Sequence, residues 1–232
     1  MATMTLYSGP LSMYGAKAQI AAQEKGIPVD VVMVPFTQEQ GYEPKHSEVL
    51  RINPKRQVPV LIHGKVEIFD STQMFEYFEH FHPQPPLWPE LPAERAHARL
   101  LELKSDEVFF PHVIRLMGLQ DRLGEPAAQE AISHLHRLYA EWEMTLGSKD
   151  YLSESYSYAD IAYFMAQLFA ARLGAPMTSE TPRLLAWRTR VASRSAVRPV
   201  VAQYVETLRS LNRAVPEFMT ETVADHGNST LR

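Results

Sequence analysis

The residues best suited to chemistry stand where an apolar stretch gives way to a helical pattern. In LYSGPLSMYGAK, residues 6–17, Ser8 and Ser12 flank such a turn. A hydroxyl at a helix start caps the orphan N–H groups of the first turn. Together with the positive end of the helix dipole it also favours an anion held there. Both readings stand for Ser12. In FDSTQMFEYFE, residues 69–79, Asp70 and Ser71 occupy a second turn of the same kind. Anions settle at helix N-termini, and Asp70 with Gln73 three residues on also reads as a capping box. The chain has no cysteine. That excludes disulfide staples, cysteine-ligated metal and a protein thiol as nucleophile, so any thiol chemistry must bring its sulfur on a cofactor. The pairs His80/His82 and His134/His136 are two apart, a spacing that does not share one helix face, and no metal is expected. No GxGxxG, Walker or GxSxG loop is present.

The elements that must position these groups are legible from periodicity. Met4 to Ser8 alternates as a strand, Tyr14 to Lys25 reads as a helix ended by Gly26 and Pro28, and Val29 to Phe36 reads as a buried strand. Thr37 to Asn53 reads as loop plus an irregular helix. Val58 to His63 and Lys65 to Phe69 read as a hairpin around His63-Gly64. Asp70 begins a helix with Met74, Phe75, Tyr77 and Phe78 on its apolar face. This β-α-β, then β-β-α order is thioredoxin-like and needs helices on both faces of its sheet. His82 to Pro92 holds five prolines in eleven residues, a linker that Leu87 and Trp88 pin to a surface. Beyond it the period is helical throughout. Ala93 to Leu116 reads as one long helix kinked at Pro111, followed by faces built on Ile132–Leu146, Tyr158–Phe169, Thr181–Val191 and Val197–Leu211. Ser157 and Asp160 form a capping box with Tyr156 and Ile161 as its hydrophobic staple. The expected architecture is therefore α/β plus all-α. A thioredoxin-like domain over 1–81 precedes a linker over 82–92, an all-helical C-terminal domain over 93–212 and an irregular tail over 213–232, frayed from His226.

Composition narrows the partners. Net charge is −4 with 22% charged residues, without the basic excess that nucleic acid requires. No apolar run spans a bilayer and no signal-peptide pattern opens the chain, so a cytoplasmic protein is expected.

On these strings the chain resembles the cytosolic glutathione transferase family, of the serine type and with a bacterial look, over about Thr5 to Leu211. The resemblance implies that Ser12 donates a hydrogen bond to the sulfur of bound glutathione, with Tyr14, Tyr7 and Ser8 as rivals. A free thiol has a pKa near ~8.5. Lowering it by about two units takes roughly 2.7 kcal/mol of preferential thiolate stabilisation, the scale of one charge-assisted hydrogen bond plus a helix dipole. NPKRQVPVL, residues 53–61, resembles the family segment with a cis-proline, here Pro59. Val58 before it would pair with the tripeptide as an added strand, whereas an ordinary trans proline is the plain alternative. Gln57 and Lys45 are implied at the glycine carboxylate, and Asp70 and Ser71 at the γ-glutamyl ammonium and carboxylate.

The implied reaction is attack of glutathione thiolate on a small hydrophobic electrophile, in a two-fold homodimer and without metal. Tyr14, Phe109, His112, Val113 and Leu116 are candidates for the electrophile pocket, although aromatic residues at helical spacing are more often plain core and His112 suits the surface equally. Rivals within glutathione chemistry are a peroxidase, disulfide-bond reductase, dehalogenase, β-etherase or isomerase; Ser12-Met13-Tyr14 departs from the isomerase branch's serine-serine-cysteine run. A non-catalytic glutathione-binding protein is the rival of another class.

Overall fold

A computed structural model describes residues 3–37 and 39–224; the expected fraying from His226 falls outside them. Strands β1 (Met4–Ser8), β2 (Val29–Met33), β3 (Val60–His63) and β4 (Val66–Phe69) form one sheet in the order β2-β1-β3-β4. β2 runs parallel to β1, and the other neighbours are antiparallel. Helices α1 (Met13–Glu24), α2 (Ser47–Ile52) and α3 (Ser71–Phe81) complete the thioredoxin-like arrangement. The hairpin turns on Gly64-Lys65, with φ +60° at Gly64, a conformation open to glycine. β2 is not the buried strand expected. The strand order leaves it at the sheet edge, Pro35 follows two residues after its end, and Val31 and Met33 are 40% and 38% exposed.

Register determines where the chemistry gathers. Tyr7 pairs with Val60, and Val60 pairs with Phe69. The C-terminal end of β1, the N-terminal end of β3 and the C-terminal end of β4 therefore lie side by side, and β2 exits at the same end because Ser8 pairs with Met33. The turns carrying Ser12, Val58-Pro59, Asp70-Ser71 and Lys45 all spring from that one end.

α1 is buried on nearly every side, through Met13, Ala16, Ala18, Ile20, Ala21 and Ala22. Alanines let it approach its neighbours closely, and each buried larger side chain such as Ile20 or Phe75 contributes about 1.5–3 kcal/mol. Gly26 at φ +63° ends the helix, with Ile27 N–H donating to the Ala22 carbonyl at 2.9 Å. Lys25 is buried yet satisfied. Its Nζ donates to Glu79 Oε2 at 2.8 Å and to the Pro85 carbonyl at 2.7 Å, tying the end of α1 to α3 and the linker.

The remaining helices are α4 (Pro92–Lys104), α5 (Phe110–Met117), α6 (Pro126–Leu146), α7 (Tyr158–Arg172), α8 (Pro182–Ala192), α9 (Arg198–Ser210) and α10 (Glu217–Ala224). The chain divides into two compact units. One holds the described residues of Met1–Pro85, Ser195–Val215 and Met219–Arg232, and the other holds Pro86–Arg194 and Pro216–Phe218. The division falls inside the proline-rich segment, whose Leu87 and Trp88 are buried in the helical unit. The Leu87 carbonyl accepts from Tyr158 N–H at 3.1 Å, and the Trp88 and Tyr158 rings lie 4.8 Å apart. α9 groups with the sheet-bearing unit, where it meets α1.

Two details differ from the sequence reading. The long helix is interrupted ahead of Pro111, by a π-helical turn over Ser105–Phe109, with Phe110 N–H reaching back to the Ser105 carbonyl. Proline has no N–H and its ring crowds the carbonyl four residues back, and a widened turn before it removes that conflict. The tail is not wholly irregular either. α10 forms where Phe218 takes the Arg188 guanidinium 4.1 Å above its ring and Met219 is fully buried.

α7 begins with the expected capping box. Asp160, fully buried, accepts from Ser157 N–H at 3.0 Å, Ser157 Oγ at 3.2 Å, Leu152 N–H at 2.9 Å and Trp187 Nε1 at 2.8 Å. Burial pushes its carboxyl up to about 6, against the pull of these four donors.

Candidate active site

Ser12 is the N-cap of α1, in extended backbone at φ −97° and ψ 111°. Its Oγ accepts the Gly15 N–H at 3.0 Å. That bond uses one lone pair and leaves the hydroxyl proton able to donate elsewhere. The capping and anion-binding readings are thus compatible on one atom. The side chain is nearly buried, at the positive end of a twelve-residue helix, where an anion is favoured twice over.

Gly15 is a close-packed position beside Ser12 that sequence reasoning missed. A Cβ there would overlap Ser8 Oγ and come within 3.1 Å of Ser12 Oγ. The legible signal was a glycine in the first turn of a helix, where it costs stability relative to alanine. Ser8 itself is fully buried, and its Oγ accepts from Gln19 Nε2 at 2.9 Å. Tyr7 lies within β1, its ring 4.6 Å from that of His46. Tyr14 stands in the first turn of α1, with Lys17 Nζ 5.4 Å above its ring.

The Val58–Pro59 peptide is cis. Val58 lies beyond the last β1–β3 ladder pair, Tyr7 with Val60. The loop before it is organised by Asn53, a second residue the sequence reading overlooked. Its Nδ2 donates to the Gln57 carbonyl at 2.6 Å, its Oδ1 accepts Lys55 N–H at 2.9 Å, and its carbonyl accepts Arg56 N–H at 2.8 Å. A buried asparagine satisfied at both ends fixes the loop that leads to Val58. The Gln57 side chain is exposed. Lys45 pairs with Glu43 at 2.8 Å, which holds the Glu43 carboxyl below its ordinary range.

Asp70 takes φ +78°, uncommon for a residue with a side chain. Its Oδ1 accepts Thr72 N–H at 3.1 Å and Gln73 N–H at 3.3 Å, so the cap falls on one of its two oxygens. Ser71, the first residue of α3, is 1% exposed, and its Oγ finds no hydrogen-bond partner among the described residues. A buried hydroxyl in that condition costs roughly 1–3 kcal/mol unless a ligand satisfies it. At a helix N-terminus, the group that suits it is an anion.

The candidates for the electrophile pocket divide. Phe109, Val113 and Leu116 are fully buried. Phe109 packs 5.2 Å from the rings of both Tyr139 and Tyr163. These three pack in the core of the helical unit, as helical spacing of large apolar side chains usually produces. His112 instead stacks on His134, with centroids 4.7 Å apart and planes 13° apart. Partial burial, then the charges of His134, Arg115 and Arg137, lower its pKa, with Glu130 opposing. Parallel rings aim their nitrogen lone pairs along parallel planes and share no metal. Among the described residues no three His, Cys, Asp or Glu side chains converge on a metal position, and no helix is long and apolar enough to cross a membrane.

Comparisons with known proteins bear on the family and the fold. Residues 6–86 match the family model "Glutathione S-transferase, N-terminal domain", and residues 106–195 match "Glutathione S-transferase, C-terminal domain". The chain is 31% identical over 193 residues to glutathione S-transferase U24 of Arabidopsis thaliana, covering 80% of this chain and 84% of the relative. It is 33% identical over 107 residues to a stringent starvation protein A homolog of Coxiella burnetii, an alignment spanning 46% of this chain and 48% of that one. Among solved structures, FzlA from C. crescentus superposes with a TM-score of 0.75 at 25% identity, over 86% of this chain and 92% of that one.

Proposed function

Because the chain belongs to the glutathione S-transferase family, we propose that it binds glutathione at the shared end of β1, β3 and β4 and transfers it to a small hydrophobic electrophile. Ser71 Oγ and the first N–H groups of α3 receive the γ-glutamyl carboxylate, and Asp70 takes the ammonium. Val58 pairs with the cysteinyl backbone. Gln57 and Lys45 face the glycine carboxylate, Lys45 after exchanging Glu43 for the ligand. Ser12 donates its hydroxyl hydrogen bond to the sulfur. The thiol proton leaves to solvent, the thiolate attacks the electrophilic carbon, and a C–S bond forms as the leaving group departs with its electron pair. Fixing the tripeptide at both ends supplies the proximity contribution.

The observation that carries the binding half of this reading is the buried, unpartnered Ser71 Oγ at a helix N-terminus. The test of the chemical half is the ultraviolet thiolate absorbance of bound glutathione against pH, in the wild type and in Ser12→Ala. A wild-type thiol titrating about two units below its solution value, moved back up by the variant, supports the reading. A shift that survives in Ser12→Ala transfers the role to Tyr14. Glutathione that binds with an ordinary thiol pKa points instead to a non-catalytic glutathione-binding protein. Peroxidase, disulfide-bond reductase, dehalogenase and β-etherase activities are separated by product analysis once the thiolate is established.

The proposal includes a two-fold homodimer. Leu100 and Leu103, three residues apart on α4, and Ile114 of α5 are 47%, 52% and 51% exposed, apolar side chains that a second copy would cover. Sedimentation of wild type as a dimer, and of Leu103→Glu as a monomer, is the expected outcome.

A further inference from the structure

Tyr42 touches the serine loop at two points. Its ring lies against Gly9 so closely that a Cβ on that residue would overlap the ring carbons. Its hydroxyl oxygen accepts the Leu11 N–H at 3.3 Å. Between these contacts the loop closes on itself, with Ser12 N–H donating to the Gly9 carbonyl at 3.0 Å. Tyr42 is itself held from behind. Its ring sits 4.9 Å from that of Phe36, it packs on the Val34, Val49 and Val60 cluster, and the loop carrying it is pinned by reciprocal Thr37–Gly41 backbone bonds of 2.9 and 2.8 Å.

We propose that Tyr42 is a positioning residue for Ser12, bracing the Gly9–Ser12 turn from the α2 side so that the serine hydroxyl meets the sulfur of bound glutathione. The inference rests on the reading of Ser12 given above. Two constraints aim that hydroxyl. The Gly15 N–H fixes Oγ from the helix side, while the turn fixes the backbone from which the side chain projects. Tyr42 supplies the second constraint, because the Leu11 N–H has its acceptor there and the ring fills the space that Gly9 leaves. A hydroxyl that wanders by an ångström still caps the helix but spends less time on the thiolate. Losing the brace therefore weakens thiolate stabilisation more than tripeptide binding.

The experiment uses Tyr42→Phe in the full chain, which keeps the ring and removes the acceptor. The bound glutathione thiol is expected to titrate about half to one unit higher than in wild type. With a chlorodinitrobenzene as electrophile, kcat falls by roughly three- to tenfold at neutral pH while KM for glutathione stays within about twofold. In the Ser12→Ala background the same substitution is expected to do almost nothing, because it acts through the serine. A Tyr42→Phe protein that titrates like wild type overturns the proposal. So does a double variant that loses activity by the full product of the single effects. If the wild-type thiol is not lowered at all, it is the transferase reading that fails. Should Tyr42→Phe not fold, Gly9→Ala perturbs the same contact from the other side, and the same titration decides.

Discussion

A serine hydroxyl offers one proton and two lone pairs, and at Ser12 the Gly15 N–H occupies only an acceptor. A cap and a sulfur ligand therefore do not compete. Sequence could place the hydroxyl at the helix start but could not show that its proton is still available. Ser71 was legible by the same rule, but its lack of a partner was not, since burial is a property of the folded neighbourhood. Ser71→Ala should raise KM for glutathione about tenfold, a loss near 1.4 kcal/mol, with kcat little changed, because it removes ground-state binding. Steady-state kinetics in glutathione check this. An unchanged KM would mean that the γ-glutamyl carboxylate sits elsewhere. Phe109, Val113 and Leu116 show the opposite limit. Periodicity says that such residues face something apolar, and the something is α6 and α7.

At the scale of elements, α1 passes close to β1, and at Gly15 there is no room for a Cβ beside Ser8. Gly15→Ala should cost about 1–3 kcal/mol by overpacking against Ser8, despite alanine's better helix propensity, read as a lower urea midpoint at unchanged slope. The α7 start gives a pH prediction. The folded Asp160 carboxyl is raised to about 6, above its unfolded value near ~3.9. Its contribution is fully present below the unfolded pKa and is lost as pH rises through about 6. Denaturant melts of wild type should carry that slope between roughly pH 4 and 6, and Asp160→Asn should abolish it. The same substitution turns an amide toward the Ser157 N–H, so it should also destabilise by about 1–3 kcal/mol. His112 works in the other direction. Its folded pKa is lowered, so the unfolded chain takes up the proton first. The stability present above the unfolded pKa is lost as pH falls from there through the folded pKa, and His112→Gln should flatten that loss. The capping box was readable from Ser157 and Asp160 alone. The His112–His134 stack was not, because it joins residues on different helices, and the π-helical turn was not, because sequence locates the proline but not the turn that absorbs it.

At the scale of the whole molecule, topology was the most legible feature and the grouping of helices the least. Alternation and the Gly64 turn were local signals that sufficed for the strand count, and the Pro-rich stretch was readable as a break over residues 82–92, within which one unit gives way to the next. That α9 joins the sheet-bearing unit depends on its contact with α1, far away in sequence. The apolar character of Val29–Met33 was read as burial, whereas its end position in the strand order leaves it exposed. That misjudged strand carries an expectation about association between molecules. A β-branched edge with open backbone donors and acceptors is a template for amyloid-like stacking between molecules. What guards it is small: the exposed Asp30 carboxylate in the strand and Pro35 just past it, which cannot extend the ladder. Asp30→Val should leave the folded chain nearly as stable yet raise light scattering on mild heating, so that one charge on a strand remote in sequence from the Asp70–Ser71 turn sets the concentration at which the protein remains in solution.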